Sequence, residues 1–278
     1  MSGAFAYIVV FIMYPMGRSI WMSFTNASLL GGSSRFIGLD NYRQLFTTGD
    51  FGQSLWVTLV YVAAVTCGAM VVGVGCALLV ERVRTAQAVV RTALILPWAM
   101  PTLVVGLLFA LIFDPNIGVL NYVLHFAGIG KIGWVTNNSL ALWSVAAVSV
   151  WTVFPFVMLV TLAALGSVEG ELYDESAVDG ASVWQTLRFV TLPTIAPSLR
   201  IVALLTVIWS FQLFQVTWVL TEGGPINGTN FLIINLYKTG FIDQQLGSAA
   251  SIGVIGLGFS VCATVAYFLL ERRRNSAV

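Results

Sequence analysis

The sequence predicts an all-α integral membrane protein with six transmembrane helices and a cytoplasmic helix-turn-helix loop, and three observations support this fold class. The chain has 278 residues, of which 58% are hydrophobic and only 9% are charged, whereas roughly a quarter of a soluble domain is charged. Six apolar segments reach the length of about 20 residues that a helix needs to cross a bilayer. Between the fourth and fifth segments, residues 169–179 gather five of the twelve carboxylates.

The six predicted spans belong to a single domain, residues 1–278. They cover about residues 4–24, 54–80, 92–113, 139–165, 198–220 and 246–270. The first lacks a positively charged leader and a small-residue cleavage site, so we interpret it as a retained span rather than a signal peptide. Its short leading end is compatible with a native N-terminus upstream of Met1.

The distribution of Lys and Arg predicts the orientation of the spans, because cytoplasmic connections are enriched in these residues. With the N-terminus inside, the cytoplasmic segments hold Arg82, Arg84, Arg91, Arg188, Arg200, Arg272, Arg273 and Arg274. The outer segments hold Arg35, Arg43, Lys131 and Lys238, and Arg18 lies within the first span. Both termini and the loop 166–197 are therefore predicted to be cytoplasmic.

Small residues and prolines mark where the spans pack and bend. In the last span, small residues recur at helical spacing and predict a helix contact: Ala249, Gly253, Gly256 and Ser260. Three prolines fall inside spans, where they either give ordinary irregularity or kink the helices around a cavity: Pro97, Pro101 and Pro155. The three cysteines are unclustered and apolar in context, so we expect small packing residues: Cys67, Cys76 and Cys262.

The polar loop has the composition of a docking element. Residues 169–178 predict a short helix with acids in its first turn, where the helix dipole favours them, and Asp179-Gly180 ends it. Residues 181–190 predict a second short helix, which we expect Pro193 and Pro197 to end. Its apolar face is formed by Val183, Leu187 and Val190, with Trp184 beside them.

Sequence motifs along almost the whole chain resemble one known family. The loop reads Glu171-Leu172-Tyr173, then Asp179-Gly180-Ala181-Ser182, then Leu192-Pro193. The other motifs are "YPMGRSIWMSFT", "FIGLDNYRQLF", "RTALILPWAMPTLVVGLLFALIFDPNIGVLN", "VWTVFPFVMLVTLAAL" and "LTEGGPINGTNFLIINLYKTGF". Together and in this order they resemble the permeases of binding-protein-dependent ABC importers, and are most similar to the maltose-type sugar permeases.

The resemblance implies a type I ABC importer permease fold, in which the loop 166–197 fits a cleft on the ATP-hydrolysing subunit. The family's Glu-Ala-Ala signature falls on Asp174, Glu175 and Ser176, so the acid is shortened and the two alanines are replaced by larger polar residues. The coupling residues that the resemblance implies are those three with Asp179, Gly180, Ala181, Trp184, Leu192 and Pro193.

The resemblance also implies partners. These are a second homologous permease subunit, two copies of an ATP-binding cassette ATPase, an extracytoplasmic solute-binding protein and membrane lipids. The expected location is the bacterial cell membrane. No nucleic acid is expected as a partner. The chain has no Gly-x-x-x-x-Gly-Lys-Ser/Thr motif. ATP and Mg²⁺ are therefore expected on the ATPase partner, and no cofactor or metal is expected on this chain.

The predicted substrate pathway lies in the fifth span. Phe211, Gln215 and Trp218 follow i, i+4, i+7 spacing, and Gln212 lies beside them. Aromatic rings stack on sugar C–H faces, and amides exchange hydrogen bonds with hydroxyls. Trp151 is a weaker candidate because its position equally suits packing. The glutamines have a second interpretation, as hydrogen bonds between helices of the permease subunits.

The sequence favours a sugar permease over three other functions: a glycerol phosphate permease, an intramembrane enzyme and a membrane scaffold. A permease for glycerol-3-phosphate or a related glycerophosphodiester would want cations on its pathway, and the spans offer only Arg18. An intramembrane enzyme needs titratable residues clustered at one depth, which the spans lack, and a membrane scaffold leaves the polar loop unexplained. The lone His125 has no Ser or Cys arrangement around it, so no catalytic role is expected.

Overall fold

The computed structural model describes residues 2–47, 49–83 and 85–275, and this part of the chain is built from helices joined by short turns and loops. The helices are α1 Phe5–Met22, α2 Asp40–Thr47, α3 Asp50–Arg82, α4 Gln87–Ala99, α5 Thr102–Ile112, α6 Val119–Phe126, α7 Ala141–Leu165, α8 Gly170–Val178, α9 Val183–Ser210, α10 Gln215–Thr221, α11 Leu232–Ile242 and α12 Leu246–Asn275. Arg84, which entered the charge comparison, lies outside the described residues.

Five of these helices are long and apolar enough to cross a membrane: α1, α3, α7, α9 and α12. The consecutive helices α4 and α5 pass the same test together, and they are bent by 95° at the break between them. The all-α prediction is confirmed, and the first, second, fourth and sixth predicted spans coincide with α1, α3, α7 and α12. The third and fifth spans differ from the prediction.

The third span is two helices rather than the single kinked helix predicted over 92–113. Met100 is extended, with φ −78° and ψ 140°, and Pro101 precedes the first residue of α5. The break falls there because the ring of a proline disfavours helical geometry in the residue before it. Pro97 and Pro155 remain inside α4 and α7.

The predicted end of the second loop helix at Pro193 and Pro197 was wrong. Helix α9 starts at Val183 and continues into the membrane to Ser210, through a π turn at Leu187–Thr191. The α-helical segment that follows this wider turn begins at Leu192, and Pro193 is its second residue, where a missing N–H costs least. The fifth span therefore ends at Ser210, and residues 211–214 separate it from α10.

The core forms where α3 and α7 pack along each other. A Cβ on Gly73 would lie 2.6 Å from Val157 Cβ, and a Cβ on Gly68 would lie 2.6 Å from a methyl of Val150. Glycine is thus required for the close approach of the two backbones. The buried Tyr61 hydroxyl and Ser149 Oγ, 2.7 Å apart, add a hydrogen bond across the same contact.

Two packing predictions hold only in part. Ala249 is buried and Gly253 faces Leu236, but a Cβ on Gly256 would meet nothing within 4 Å, so the small-residue stripe of α12 is a contact at one end only. Cys76 packs among apolar neighbours, whereas Cys67 and Cys262 are exposed. Cys67 and Cys262 therefore lie on outward helix faces. The sequence did not predict this, because a helical segment that is apolar all round does not show which of its faces is buried.

Candidate coupling surface and central cavity

The turn between α8 and α9 is a Schellman motif built around Gly180. Asp179 ends α8, and Gly180 takes φ +73°, a conformation that glycine adopts without steric cost. The Ala181 N–H donates to the Ser176 carbonyl, and the Gly180 N–H donates to the Ala177 carbonyl. These bonds satisfy the last carbonyls of α8 and fix the angle between the two helices.

A capping box starts α9 immediately after this turn. The Ser182 N–H donates to Gln185 Oε1 at 2.7 Å, and the Gln185 N–H donates to Ser182 Oγ at 3.4 Å. Ser182 belongs to the loop motif and Gln185 does not, although Ser-x-x-Gln before an apolar run is a recognisable helix start. The loop geometry is therefore set on both sides of Gly180.

Ser176 joins the two loop helices. Its side chain is 8% exposed, and its Oγ lies 3.2 Å from Thr186 Oγ1 across the turn. Ser176 also lines a cavity of about 360 Å³ between the loop and the end of α3, together with Tyr173, Glu81 and Arg82. Of the three signature positions, Ser176 faces inward, whereas Asp174 and Glu175 are exposed.

The outward side of the loop combines acids with large apolar side chains. We call it the docking surface, and it comprises Asp174, Glu175, Val178, Asp179, Val183, Trp184 and Phe189. Val178 is 87% exposed and Trp184 is 66% exposed. Phe189, at 70% exposed, was missed because the helical pattern placed it away from the predicted apolar face. Among the other predicted coupling residues, Ala181 and Leu192 are half-buried, and Pro193 is exposed just after the π turn of α9.

Helix α9 runs from this surface to a cavity of about 260 Å³, which lies beside two interruptions between helices. The cavity is lined by Trp98, Thr102, Thr152, Val153, Trp209, Gln212 and Leu213. Trp98 and Thr102 flank the break between α4 and α5, whereas Trp209 and Gln212 flank the break after α9. We call it the central cavity, since Thr152 lies near the middle of α7.

Aromatic contacts form one wall of the central cavity. The Phe156 ring lies between Trp209, at 4.6 Å between ring centroids, and Trp98, at 6.0 Å. The hydroxyls of Thr102 and Thr152 and the amide of Gln212 supply polar atoms beside them. Apolar ring faces with a few neutral hydrogen-bonding groups suit a polyhydroxylated ligand without net charge.

The structure separates the pathway residues that the sequence placed on one helical face. Phe211 stacks on Phe259 of α12, and Trp218 contacts Phe214 and Tyr237. The expected face does not exist, because residues 211–214 interrupt the helix and remove the i, i+4, i+7 relationship. Gln212 lines the central cavity, whereas Gln215 is the exposed first residue of α10.

Trp151, the weaker pathway candidate, is a packing residue in this structure. Its ring contacts Phe109 edge-on at 5.2 Å between centroids and packs beside the main core.

Four residues that line the central cavity were not predicted from the sequence: Trp98, Thr102, Thr152 and Trp209. The signal that could have found them is Pro101 in "PWAMPT", since a broken span exposes side chains at mid-membrane depth. Among the described residues, no group of three or more His, Cys, Asp or Glu side chains could hold a metal ion.

A family model matches residues 69–276, and its description is "Binding-protein-dependent transport system inner membrane component". The chain belongs to this family. It is therefore a multi-pass subunit of a membrane transport system and not an enzyme, as its sequence motifs predicted.

Named relatives cover nearly all of the chain. The chain is 30% identical to the sulfoquinovosyl glycerol transport system permease protein of Agrobacterium fabrum, over 95% of this chain and 86% of that protein. It is 28% identical to the trehalose/maltose transport system permease protein of Thermococcus litoralis, over 96% and 90%. It is 31% identical to the sn-glycerol-3-phosphate transport system permease protein of Pectobacterium atrosepticum, over 96% and 91%.

A solved structure shares the fold. It is a chain of a bacterial alginate ABC transporter in complex with an alginate pentasaccharide-bound periplasmic protein, with a TM-score of 0.86 and 21% identity. The match covers 98% of this chain and 92% of that chain. The predicted type I ABC importer permease fold is confirmed.

Proposed function

We propose that this chain is the membrane permease subunit of an ATP-driven importer for a neutral sugar of two or more units. The observation that carries the proposal is the central cavity, which is lined by two indole rings, the Gln212 amide and two threonines. Thr152 Oγ1 donates to the Val148 carbonyl at 2.9 Å and keeps lone pairs that can accept a hydrogen bond. Aromatic faces and neutral hydrogen-bonding groups form the usual recognition set for sugars. A relative named for trehalose/maltose transport supports a neutral disaccharide. A relative named for sulfoquinovosyl glycerol transport supports a sugar-containing substrate, although that molecule carries a sulfonate charge.

The energy source is a separate ATPase that binds the docking surface. Exposed Val178, Trp184 and Phe189 supply apolar area for a protein contact, and Asp174 and Glu175 supply charge at its edge. Closure of the ATPase would move α8 and the start of α9. Because α9 is continuous from Val183 to Ser210, the motion reaches the cavity residue Trp209 without passing through a flexible joint.

The complete transporter contains this chain, a second homologous permease subunit, two ATPase copies and an extracytoplasmic solute-binding protein. Both termini and the docking surface lie in the cytoplasm, as the excess of Lys and Arg on that side supports. ATP and Mg²⁺ bind the ATPase subunits. The solved alginate transporter, in complex with a periplasmic protein that carries a pentasaccharide, supports the solute-binding protein as a partner.

Transport of sn-glycerol-3-phosphate is the second candidate, because a permease named for that substrate is 31% identical to this chain. A phosphomonoester carries about two negative charges, and phosphate sites use Arg, Lys or clustered N–H donors. The residues that line the central cavity are uncharged. This difference favours a neutral sugar.

Uptake by the complete transporter in proteoliposomes tests the proposal. We expect ATP-dependent uptake of at least one neutral di- or oligosaccharide from a panel, and none of sn-glycerol-3-phosphate. Gln212→Ala should lower sugar uptake about 5-fold to 100-fold, the range for loss of one hydrogen bond to a buried partner, while the ATPase still assembles. Uptake of sn-glycerol-3-phosphate alone would replace the sugar assignment, and full uptake by Gln212→Ala would remove this cavity from the pathway.

A further inference from the structure

Helix α6, at the end of the bundle opposite the docking surface, presents an apolar stripe away from the protein. Val119, Tyr122, Val123 and Phe126 follow i, i+3, i+4, i+7 spacing and are 57% to 74% exposed. The opposite side is anchored through Asn121, whose amide donates to the Ile132 carbonyl at 2.9 Å and accepts from the Trp134 indole at 3.2 Å. The stripe is therefore held in place but is not covered by the described part of the chain.

The stripe continues a lipid-facing surface. Leu103, Leu107 and Leu111 lie one turn apart along α5, and each is more than half exposed. Helices α4 and α5 together pass the length and apolarity test for a membrane span, and no described part of the chain covers these leucines, so we infer that they face hydrocarbon. Only a short turn, ending in Ile117 and Gly118, separates these leucines from Val119. The apolar surface thus runs from the span onto α6 with little interruption.

A cavity of about 530 Å³ opens beside the stripe, and its polar lining is basic. Tyr122, His125 and Lys131 line it, together with Asn116 and with apolar side chains from the same segment. Lys131 Nζ donates to Asn116 Oδ1 at 3.0 Å, which holds the ammonium group at the edge of the cavity. No carboxylate is among the lining residues.

The nearest acid, Asp114, is already engaged by the backbone. Its Oδ1 accepts from the N–H groups of Ile117, at 3.0 Å, and Asn116, at 2.8 Å. These bonds, the Ile117 bond foremost, hold the pKa of Asp114 below its usual value, and the charge of Lys131 lowers that pKa further. Asp114 is therefore an ionised turn residue, and Lys131 retains donors for a second anion.

We propose that α6 lies in the membrane interface and that the cavity beside it binds the phosphate headgroup of an anionic phospholipid. An acyl chain of that lipid would lie along the stripe, and its phosphate would meet Lys131 and His125. Interfacial helices combine one apolar face with aromatic and basic residues at headgroup level. The solute-binding protein is the competing occupant, but it would leave the continuous apolar surface of α5 and α6 divided between lipid and protein. The inference requires only the membrane location and is independent of the substrate.

The position of the stripe is tested with a spin label at Val123→Cys, in the complete transporter in nanodiscs and in a background without Cys67, Cys76 and Cys262. We expect oxygen to relax the label more than a water-soluble nickel complex does, as at the lipid control Leu107→Cys. The loop control Ile226→Cys, at a residue 80% exposed, should give the opposite order. A label at Val123→Cys that favours the nickel complex, or that is shielded from both reagents by a protein, would overturn the proposal.

Headgroup binding is tested by native mass spectrometry of the same transporter after release from nanodiscs that contain phosphatidylglycerol and phosphatidylcholine. Replacing Lys131 and His125 by Gln should lower retained phosphatidylglycerol at least about fivefold, since one cation near a membrane surface contributes about that factor. Arg43→Gln, which removes an exposed charge elsewhere at the same end, should leave retention unchanged. Equal loss in both variants, or complete displacement of the lipid by inorganic phosphate, would contradict a lipid site.

Discussion

Arg200 of α9 and Glu271 of α12 form an ion pair, with 3.7 Å between Nη1 and Oε1. Their side chains are 32% and 24% exposed, so water screens the pair only in part. Arg200 Nε also donates to the Ala196 carbonyl at 3.2 Å, which orients the guanidinium group. The pair connects the helix that extends from the docking surface to the last membrane helix, near the end of the bundle that holds that surface.

The ion pair should contribute to coupling more than to stability. Arg200→Glu should lower thermal stability by about 1 kcal/mol or less, as for other partly exposed pairs, yet reduce sugar uptake per ATP hydrolysed. The double variant Arg200→Glu with Glu271→Arg should recover most of the lost coupling. Uptake per ATP measured on both variants in proteoliposomes checks this, and a double variant as defective as Arg200→Glu would show that the pair itself is unimportant.

Gly180→Val should prevent assembly with the ATPase while the chain still inserts into the membrane. A Cβ at Gly180 would meet nothing within 4 Å, so the penalty comes only from φ +73°, which a β-branched residue resists. Gly180→Asn is the matched control, because asparagine tolerates this conformation. Co-purification of the ATPase is the measurement. Normal recovery with Gly180→Val would show that the Schellman turn is not needed for docking.

Gly73→Ala should destabilise the chain by about 1–3 kcal/mol, the usual cost of overpacking. The added methyl would press on Val157 and on the Phe154 carbonyl, which lies 2.8 Å away. Gly75→Ala, two residues further along α3, meets nothing within 4 Å and should be neutral or slightly stabilising. Thermal unfolding of the two purified variants in one detergent compares them. A larger loss for Gly75→Ala would contradict the α3–α7 packing.

Single cysteines test the proposed orientation in intact cells. An impermeant maleimide should label Ile226→Cys from outside and should not label Glu175→Cys until the membrane is opened. Both residues are exposed in the chain, unlike Ser176, whose burial would slow the reaction. Labelling of Glu175→Cys in sealed cells would reverse the topology and remove the ATPase from the docking surface.

The sequence predicted the features that depend on composition and local turn chemistry. Apolar length identified the spans, and Asp179-Gly180 identified the turn between α8 and α9. The sequence-based prediction of helix ends was wrong at Pro193, where a π turn lets α9 continue. It was also wrong at residues 211–214, where the helix is interrupted without a proline or glycine. Both are decided by tertiary packing, since a local pattern does not encode a π turn or a break that neighbouring helices stabilise. The helical face predicted from Phe211, Gln215 and Trp218 therefore does not form, and among the predicted pathway residues Gln212 lines the central cavity.

Protection of single cysteines by substrate during turnover tests whether the sugar passes the helix break at Gln212. In the complete transporter, supplied with ATP and a sugar-loaded binding protein, maleimide labelling of Leu213→Cys, at the neighbouring cavity residue, should slow at least severalfold relative to the transporter without sugar. Labelling of Gln215→Cys, two residues further along, should not change. Protection at Gln215→Cys alone, or at neither position while uptake proceeds, would contradict a pathway through the central cavity.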